Sequence, residues 1–208
     1  MISSRFSALL DEEDLKDKVI LDVGCGAGRL ALLLALRTRR VIGIYRDEEA
    51  IALARRRAAT SGAGNVDFLV ADAEAVEYDE FRAQMVVAHL CMSDAIIERA
   101  GRALGPGEGL AFVAFHVDQW RETGIPSRFA YEEGRLRSVL HANGFVPEHL
   151  GVERQLARFR SAEEGLAAAA GLRDKWQADG RWQRYADFLA KGGRTLTRSH
   201  LNVKARRR

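Results

Sequence analysis

At 208 residues, with 47% hydrophobic and 29% charged side chains, the chain is long enough for one α/β domain with a sizeable core and short for two. Its longest apolar run, Leu30–Leu36, is far too short to span a membrane, and Met1–Asp14 lacks the apolar centre of a signal peptide, so a soluble, cytoplasmic protein with no membrane partner is expected. The formal charge of +3 is set by Arg194–Arg208, which holds six basic residues and no acidic one, and the remainder carries a net −3.

Val19–Val23 is β-branched or apolar at almost every position, as a strand covered on both faces of a parallel sheet would be. Gly24, Gly26 and Gly28 then make a turn, and Ala31–Leu36 continues as a helix. Glycines at such a turn let the backbone take positive φ and approach a small ligand, while N–H groups at the helix start favour an anionic group. Val41–Tyr45 is the second predicted strand, followed by a helix through Ala59 that Asp47 can cap. Val66–Val70 is the third strand, 81–90 contains the fourth, and Asp94–Leu104 is helical. The G-P-G-E-G turn at 105–109 leads into a fifth strand, Leu110–His116. Glu132–Asn143 reads as a helix ending at Gly144, Val146–Gln155 as a sixth strand, Ala162–Leu189 as alanine-rich helix, and Thr195–Lys204 as a last strand. This βα rhythm implies a doubly wound parallel sheet with its ligand at the carboxyl ends of the strands.

The glycine spacing selects among cofactors. A dinucleotide fingerprint would place its last glycine at position 29, where this chain has Arg29, and no Gly-Lys-Ser/Thr follows for a phosphate-binding loop. What stands is D-V-G-C-G-A-G from Asp22 to Gly28, which resembles motif I of the class I S-adenosylmethionine-dependent methyltransferases. The chemistry agrees with that resemblance, because adenosylmethionine ends in a zwitterionic amino acid that calls for an acid near its ammonium and backbone N–H groups near its carboxylate. The similarity covers nearly the whole chain. It implies a doubly wound, mostly parallel seven-stranded sheet with an antiparallel last strand and helices on both faces, all within a single domain 1–208. Residues 161–193 would be a helical insertion before the last strand, either closing over the ligand or only covering the sheet edge. Trp176, Trp182, Tyr185 and Phe188 recur there at roughly helical spacing, more as core than as pocket.

Carried onto this chain, the resemblance implies a cofactor site drawn from Asp22, Gly24, Cys25, Gly26, Gly28, Tyr45, Arg46, Asp72, Ala73 and His89. The family's second strand ends in an acid that chelates the ribose hydroxyls. Here Tyr45 takes that slot, and Asp47 either compensates or caps the helix after it. In F-L-V-A-D-A-E at 68–74, Asp72 resembles the aspartate that accepts from the adenine 6-amino group, with the Ala73 N–H facing N1, the plainer reading of Asp72 being a turn cap. Methyl transfer from a sulfonium is an in-line displacement in which positioning does most of the work. If the acceptor carries a proton, the base candidates are His89 and His116, at the ends of the fourth and fifth strands, although either also suits a core or rim histidine.

Several chemistries lack support. V-V-A-H-L-C-M-S-D at the fourth strand carries no Asn/Asp-Pro-Pro-Tyr/Phe or Pro-Cys pair, so base amino-methylation and a Cys91 nucleophile are not expected. Cys25 and Cys91 form no C-x-x-C pair, and neither a disulfide nor a metal site is indicated; no hydrolase elbow or zincin helix occurs. The reading is methyl transfer to a small-molecule acceptor, with Trp120, Phe129 and Tyr131 as pocket or core aromatics. Its rivals are an RNA or protein methyltransferase using the basic C-terminus, in which case nucleic acid would be the partner, and a non-catalytic binding protein of the same fold, which Tyr45 keeps in play.

Overall fold

A computed structural model describes residues 2–208. In chain order the elements are α1 (Ser4–Asp11), β1 (Val19–Val23), α2 (Arg29–Ala35), β2 (Arg40–Tyr45), α3 (Glu48–Ser61), β3 (Val66–Val70), β4 (Met85–His89), α4 (Asp94–Ala103), β5 (Gly109–His116), β6 (Ala130–Tyr131), α5 (Glu133–Ala142), β7 (Phe145–Arg158), α6 (Ala162–Ala168), α7 (Arg173–Ala178), α8 (Arg181–Ala190) and β8 (Thr195–Arg207). The strands order as β3-β2-β1-β4-β5-β8-β7, with β6 added beside β5. The first five are parallel neighbours and the C-terminal strands are antiparallel, the expected doubly wound sheet with one short strand more.

The chain divides into two compact units. The first comprises residues 2–114, Glu133–Gly151 and Asn202–Arg208. Its centre is β1, buried at all five positions and paired in parallel with both β2 and β4, which explains why its sequence is apolar everywhere but Asp22 instead of alternating. Ile20, Val41, Ile51, Phe68, Val87 and Val113 belong to one buried cluster with Leu30 and Leu34 of α2. Asp47 caps α3, its carboxylate accepting the Ala50 N–H at 2.8 Å. α1 was not expected from the sequence. It carries Phe6, Leu9 and Leu10 on its buried side, and Ser3 Oγ accepts the Phe6 N–H at 3.1 Å, so a cap and an i, i+3, i+4 apolar pattern were both present to be read.

The second unit comprises Phe115–Glu132 and Val152–Leu201. The predicted alanine-rich helix resolves into three short helices, α6 to α8, because Gly180 takes φ +81 between α7 and α8 and a 3-10 turn separates α6 from α7. Trp176 and Tyr185 are fully buried, and Trp120, Trp176 and Tyr185 form a chain of edge-to-face rings with centroids 5.3 and 5.5 Å apart. Trp120 and Tyr131 are therefore interior residues of this unit, and of the pocket-or-core aromatics only Phe129 is half-buried. No described helix is long and apolar enough to cross a membrane.

Candidate functional site

The glycine turn between β1 and α2 opens onto a cavity of about 180 Å³ in the first unit. Asp22, Gly24, Cys25 and His89, all expected from sequence, line it together with Ile2, Ala27, Arg29, Leu30 and Arg57, which were not. Arg57 comes from α3 and donates to the Ala27 carbonyl at 3.1 Å, a pairing across thirty residues for which the sequence carries no signal.

The three glycines do different jobs. A side chain on Gly24 would strike Cys91 Sγ at 2.4 Å, and one on Gly28 would strike the Phe68 ring at 2.7 Å, so both keep the turn close to its own core. Gly26, at φ +53, meets nothing within 4 Å and faces open space. The turn's N–H groups also divide: those of Gly24 and Cys25 donate back to the Ile44 carbonyl at 2.9 and 3.1 Å, which narrows the expectation that the whole turn is free for an anion. These bonds hold the turn against the end of β2.

Asp22 is the electrostatic centre. It is 1% exposed, its Oδ2 has no hydrogen-bond partner among the described residues, and burial pushes its pKa up to about 8, with the Ala31 N–H opposing that weakly. An ionised carboxylate left unpaired in such a place is costly, and a cation delivered into the cavity would relieve the cost. Both thiols are held protonated by burial, Cys91 pushed up to about 12 and Cys25 higher still, with the Asp22 charge adding to each; neither has the lowered pKa of a nucleophile.

Tyr45 ends β2, half-buried, and Arg46 beyond it is exposed. Asp47 caps α3 through one carboxylate oxygen, the capping role considered from sequence. After β3, Asp72 Oδ1 accepts the Glu74 N–H at 2.9 Å; the turn-cap reading thus holds, although a carboxylate retains lone pairs for a second donor. The Ala71 N–H donates to the Tyr45 carbonyl at 3.0 Å, which joins the two loops. His89 ends β4, half-buried, with its ring 6.2 Å from that of Phe6. His116 lies in the second unit. There its Nδ1 accepts the Asp118 N–H at 3.2 Å and sits 3.1 Å from the buried Ser199 Oγ, a nitrogen already engaged in holding its own loop.

A parallel sheet in this strand order, with a glycine turn and a buried acid at the carboxyl end of its central strand, defines a Rossmann-like methyltransferase fold. A family model described as "Methyltransferase domain" matches residues 14–177, and the chain belongs to this family of S-adenosylmethionine-dependent class I enzymes. A ubiquinone biosynthesis O-methyltransferase from Sinorhizobium fredii is 36% identical over 107 residues, 49% of this chain and 42% of that protein. A 23S rRNA (uracil(1939)-C(5))-methyltransferase from Methylococcus capsulatus is 49% identical over 53 residues, 26% of this chain and 12% of that one. Among solved structures, a Bacillus halodurans protein assigned as a methyltransferase superposes with TM-score 0.75 at 18% identity, covering 98% of this chain and 99% of the other. The chain spans less than half the length of the curated relatives it matches.

The residues present fit adenosylmethionine. The orphaned buried oxygen of Asp22 suits the ligand's ammonium, and the open face at Gly26 is room that any side chain there would occupy.

Proposed function

We propose that this chain transfers the methyl group of S-adenosylmethionine to a small-molecule acceptor by in-line displacement. The observation that carries the reading is Asp22, a buried carboxylate with an unpartnered oxygen beside an open glycine turn. Bound there, the sulfonium supplies an already activated methyl group, so this chain's residues have to bind, orient and remove a proton. Asp22 holds the ligand's ammonium, and the turn at Gly26 receives the adjoining backbone of the ligand. Tyr45 donates one hydrogen bond to the ribose, Asp72 accepts from the adenine 6-amino group, and the Ala73 N–H donates to N1. Gly24, Cys25 and Gly28 keep the turn in shape, and Arg46 flanks the ribose end. His89, lining the cavity, is the group placed to take a proton from an acceptor hydroxyl.

A small acceptor is favoured over RNA by the C-terminus. Arg206 donates to Glu148 at 2.9 Å and pairs with Glu13, and Arg207 donates to the carbonyls of Gly101 and Gly144 at 2.9 and 3.2 Å. Arg206 and Arg207, beyond the predicted last strand, are thus part of β8, with these side chains turned to partners in their own unit. The O-methyltransferase relative also matches nearly twice as much of this chain as the rRNA enzyme does. Calorimetry with adenosylmethionine and adenosylhomocysteine tests the reading: micromolar binding that Asp22→Asn and Gly26→Val both abolish is expected, and no binding at millimolar ligand would reject it.

A further inference from the structure

The turn after β3 is built more firmly than a surface loop requires. The Asp72 carbonyl accepts the N–H groups of both Ala75 and Val76 at 3.0 Å. In a trans peptide the C=O and N–H point in opposite directions, so this bond pair directs the Ala73 N–H away from the turn's interior. The next peptide is pinned at both ends: its carbonyl, on Ala73, accepts the Tyr78 hydroxyl at 2.6 Å, and its N–H, on Glu74, goes to Asp72 Oδ1 at 2.9 Å. The Glu74 carbonyl accepts Arg99 Nε from α4 at 2.9 Å, and Arg99 is steadied by Glu77. Tyr78 is 1% exposed, and burial raises its pKa, so it remains a donor throughout the physiological range. Besides filling the interior, a buried tyrosine whose hydroxyl is committed to a loop carbonyl fixes a peptide plane.

We infer that Tyr78, with Arg99 as a second pin, is a positioning residue that sets the Ala73 amide and the Asp72 carboxylate for reading the cofactor's purine edge, and so makes the site selective for adenine over hypoxanthine. This rests on the assignment of Asp72 and Ala73 to the base. The discriminating atoms are N1, an acceptor in adenine and an N–H in hypoxanthine, and the 6-substituent, an amino donor in one and a carbonyl in the other. With the loop held still, hypoxanthine presents a donor to a donor and an acceptor to an acceptor. With the loop free to turn, that mismatch can be relaxed.

The test is the ratio of calorimetric affinities for S-adenosylhomocysteine and S-inosylhomocysteine. A ratio measured on one preparation is insensitive to an unfolded fraction, which lowers both values together. Wild type is expected to prefer the adenosyl ligand by about a hundredfold, because hypoxanthine sets a donor against a donor and an acceptor against an acceptor. Tyr78→Phe is expected to narrow the preference about tenfold and Arg99→Gln by less, each through tighter relative binding of the inosyl ligand. A ratio unchanged in both variants, with wild type discriminating, overturns the role of Tyr78 and leaves the base assignment standing. No discrimination by wild type overturns both. Should Tyr78→Phe not fold, an unchanged ratio in Arg99→Gln is sufficient to reject the inference.

Discussion

Asp22 shows how a single residue ties stability to ligand. Its folded-state pKa of about 8 lies above the ordinary 3.8, so between those values the ligand-free folded protein holds a proton that the unfolded chain has lost. Its contribution to stability is therefore greatest below pH 4 and falls as pH rises through about 8. Asp22→Asn is expected to stabilise the ligand-free protein, by a margin that grows between pH 5 and pH 8 in urea unfolding. Ligand binding reverses the preference, because an ammonium beside Asp22 favours the carboxylate. At pH 6 to 7, binding should release close to one proton, read as a dependence of the calorimetric heat on buffer ionisation enthalpy, and the release should fall away as pH rises above about 8. Tyr45 makes the complementary case. A phenol offers the ribose one neutral hydrogen bond where a carboxylate offers two charge-assisted ones, and the Asp47 carboxylate already accepts the Ala50 N–H at the α3 cap. Tyr45→Asp should tighten adenosylhomocysteine binding by about tenfold; weaker binding would mean that the tyrosine makes a contact an acid cannot replace.

At the scale of elements, the β1 to α2 turn separates binding from folding. Gly26 has open space around a would-be side chain, so Gly26→Val should cost the fold only the strain of a β-branched residue at positive φ, about 1–3 kcal/mol, while binding is lost. Gly28→Val, driven into Phe68, should unfold the protein. Far-UV dichroism alongside calorimetry distinguishes the two. In α6 to α8, Trp176 is the fully buried hub of the ring chain, and Trp176→Ala should destabilise by about 3–5 kcal/mol in thermal or urea unfolding. β1 and β3 were legible to the residue, because a strand buried on both faces or bounded by turn residues leaves a local signature. The alanine-rich stretch was legible as helix but not as three helices, since its breaks depend on Gly180 adopting a left-handed conformation that glycine permits without requiring. The two-residue β6 pairs with β5 and has no sequence pattern of its own.

For the whole molecule, the C-terminal strand is the informative case. Lys204 is nearly buried and faces Glu12, Glu13 and Glu148, and Arg206 shares two of those carboxylates, so the last strand is tied by charge to the segment after α1 and to β7. Removing Lys204 takes one cation from Glu13 and Glu148, which both keep Arg206, and frees the exposed Glu12. Lys204→Met should therefore lower stability by only about 1 kcal/mol in urea unfolding and leave adenosylhomocysteine affinity within about twofold. The RNA reading would instead have these cations bind phosphate, with affinity that weakens steeply with salt.

The β1 strand, the glycine turn, Asp22 and the alternation of strands and helices were determined by the sequence alone. Each is a local pattern in which residue type follows from backbone conformation or from burial on both faces. What only the tertiary structure decided is how those residues are used. Gly26 faces open space while Gly24 and Gly28 close on Cys91 and Phe68, and Asp47 caps a helix. Tyr78 reaches back to the Ala73 carbonyl, Arg57 crosses to Ala27, and the basic terminus turns toward carboxylates nearly two hundred residues away. These are contacts between segments distant in sequence, and whether a polar group is engaged or left open for a ligand depends on which partner the fold brings to it.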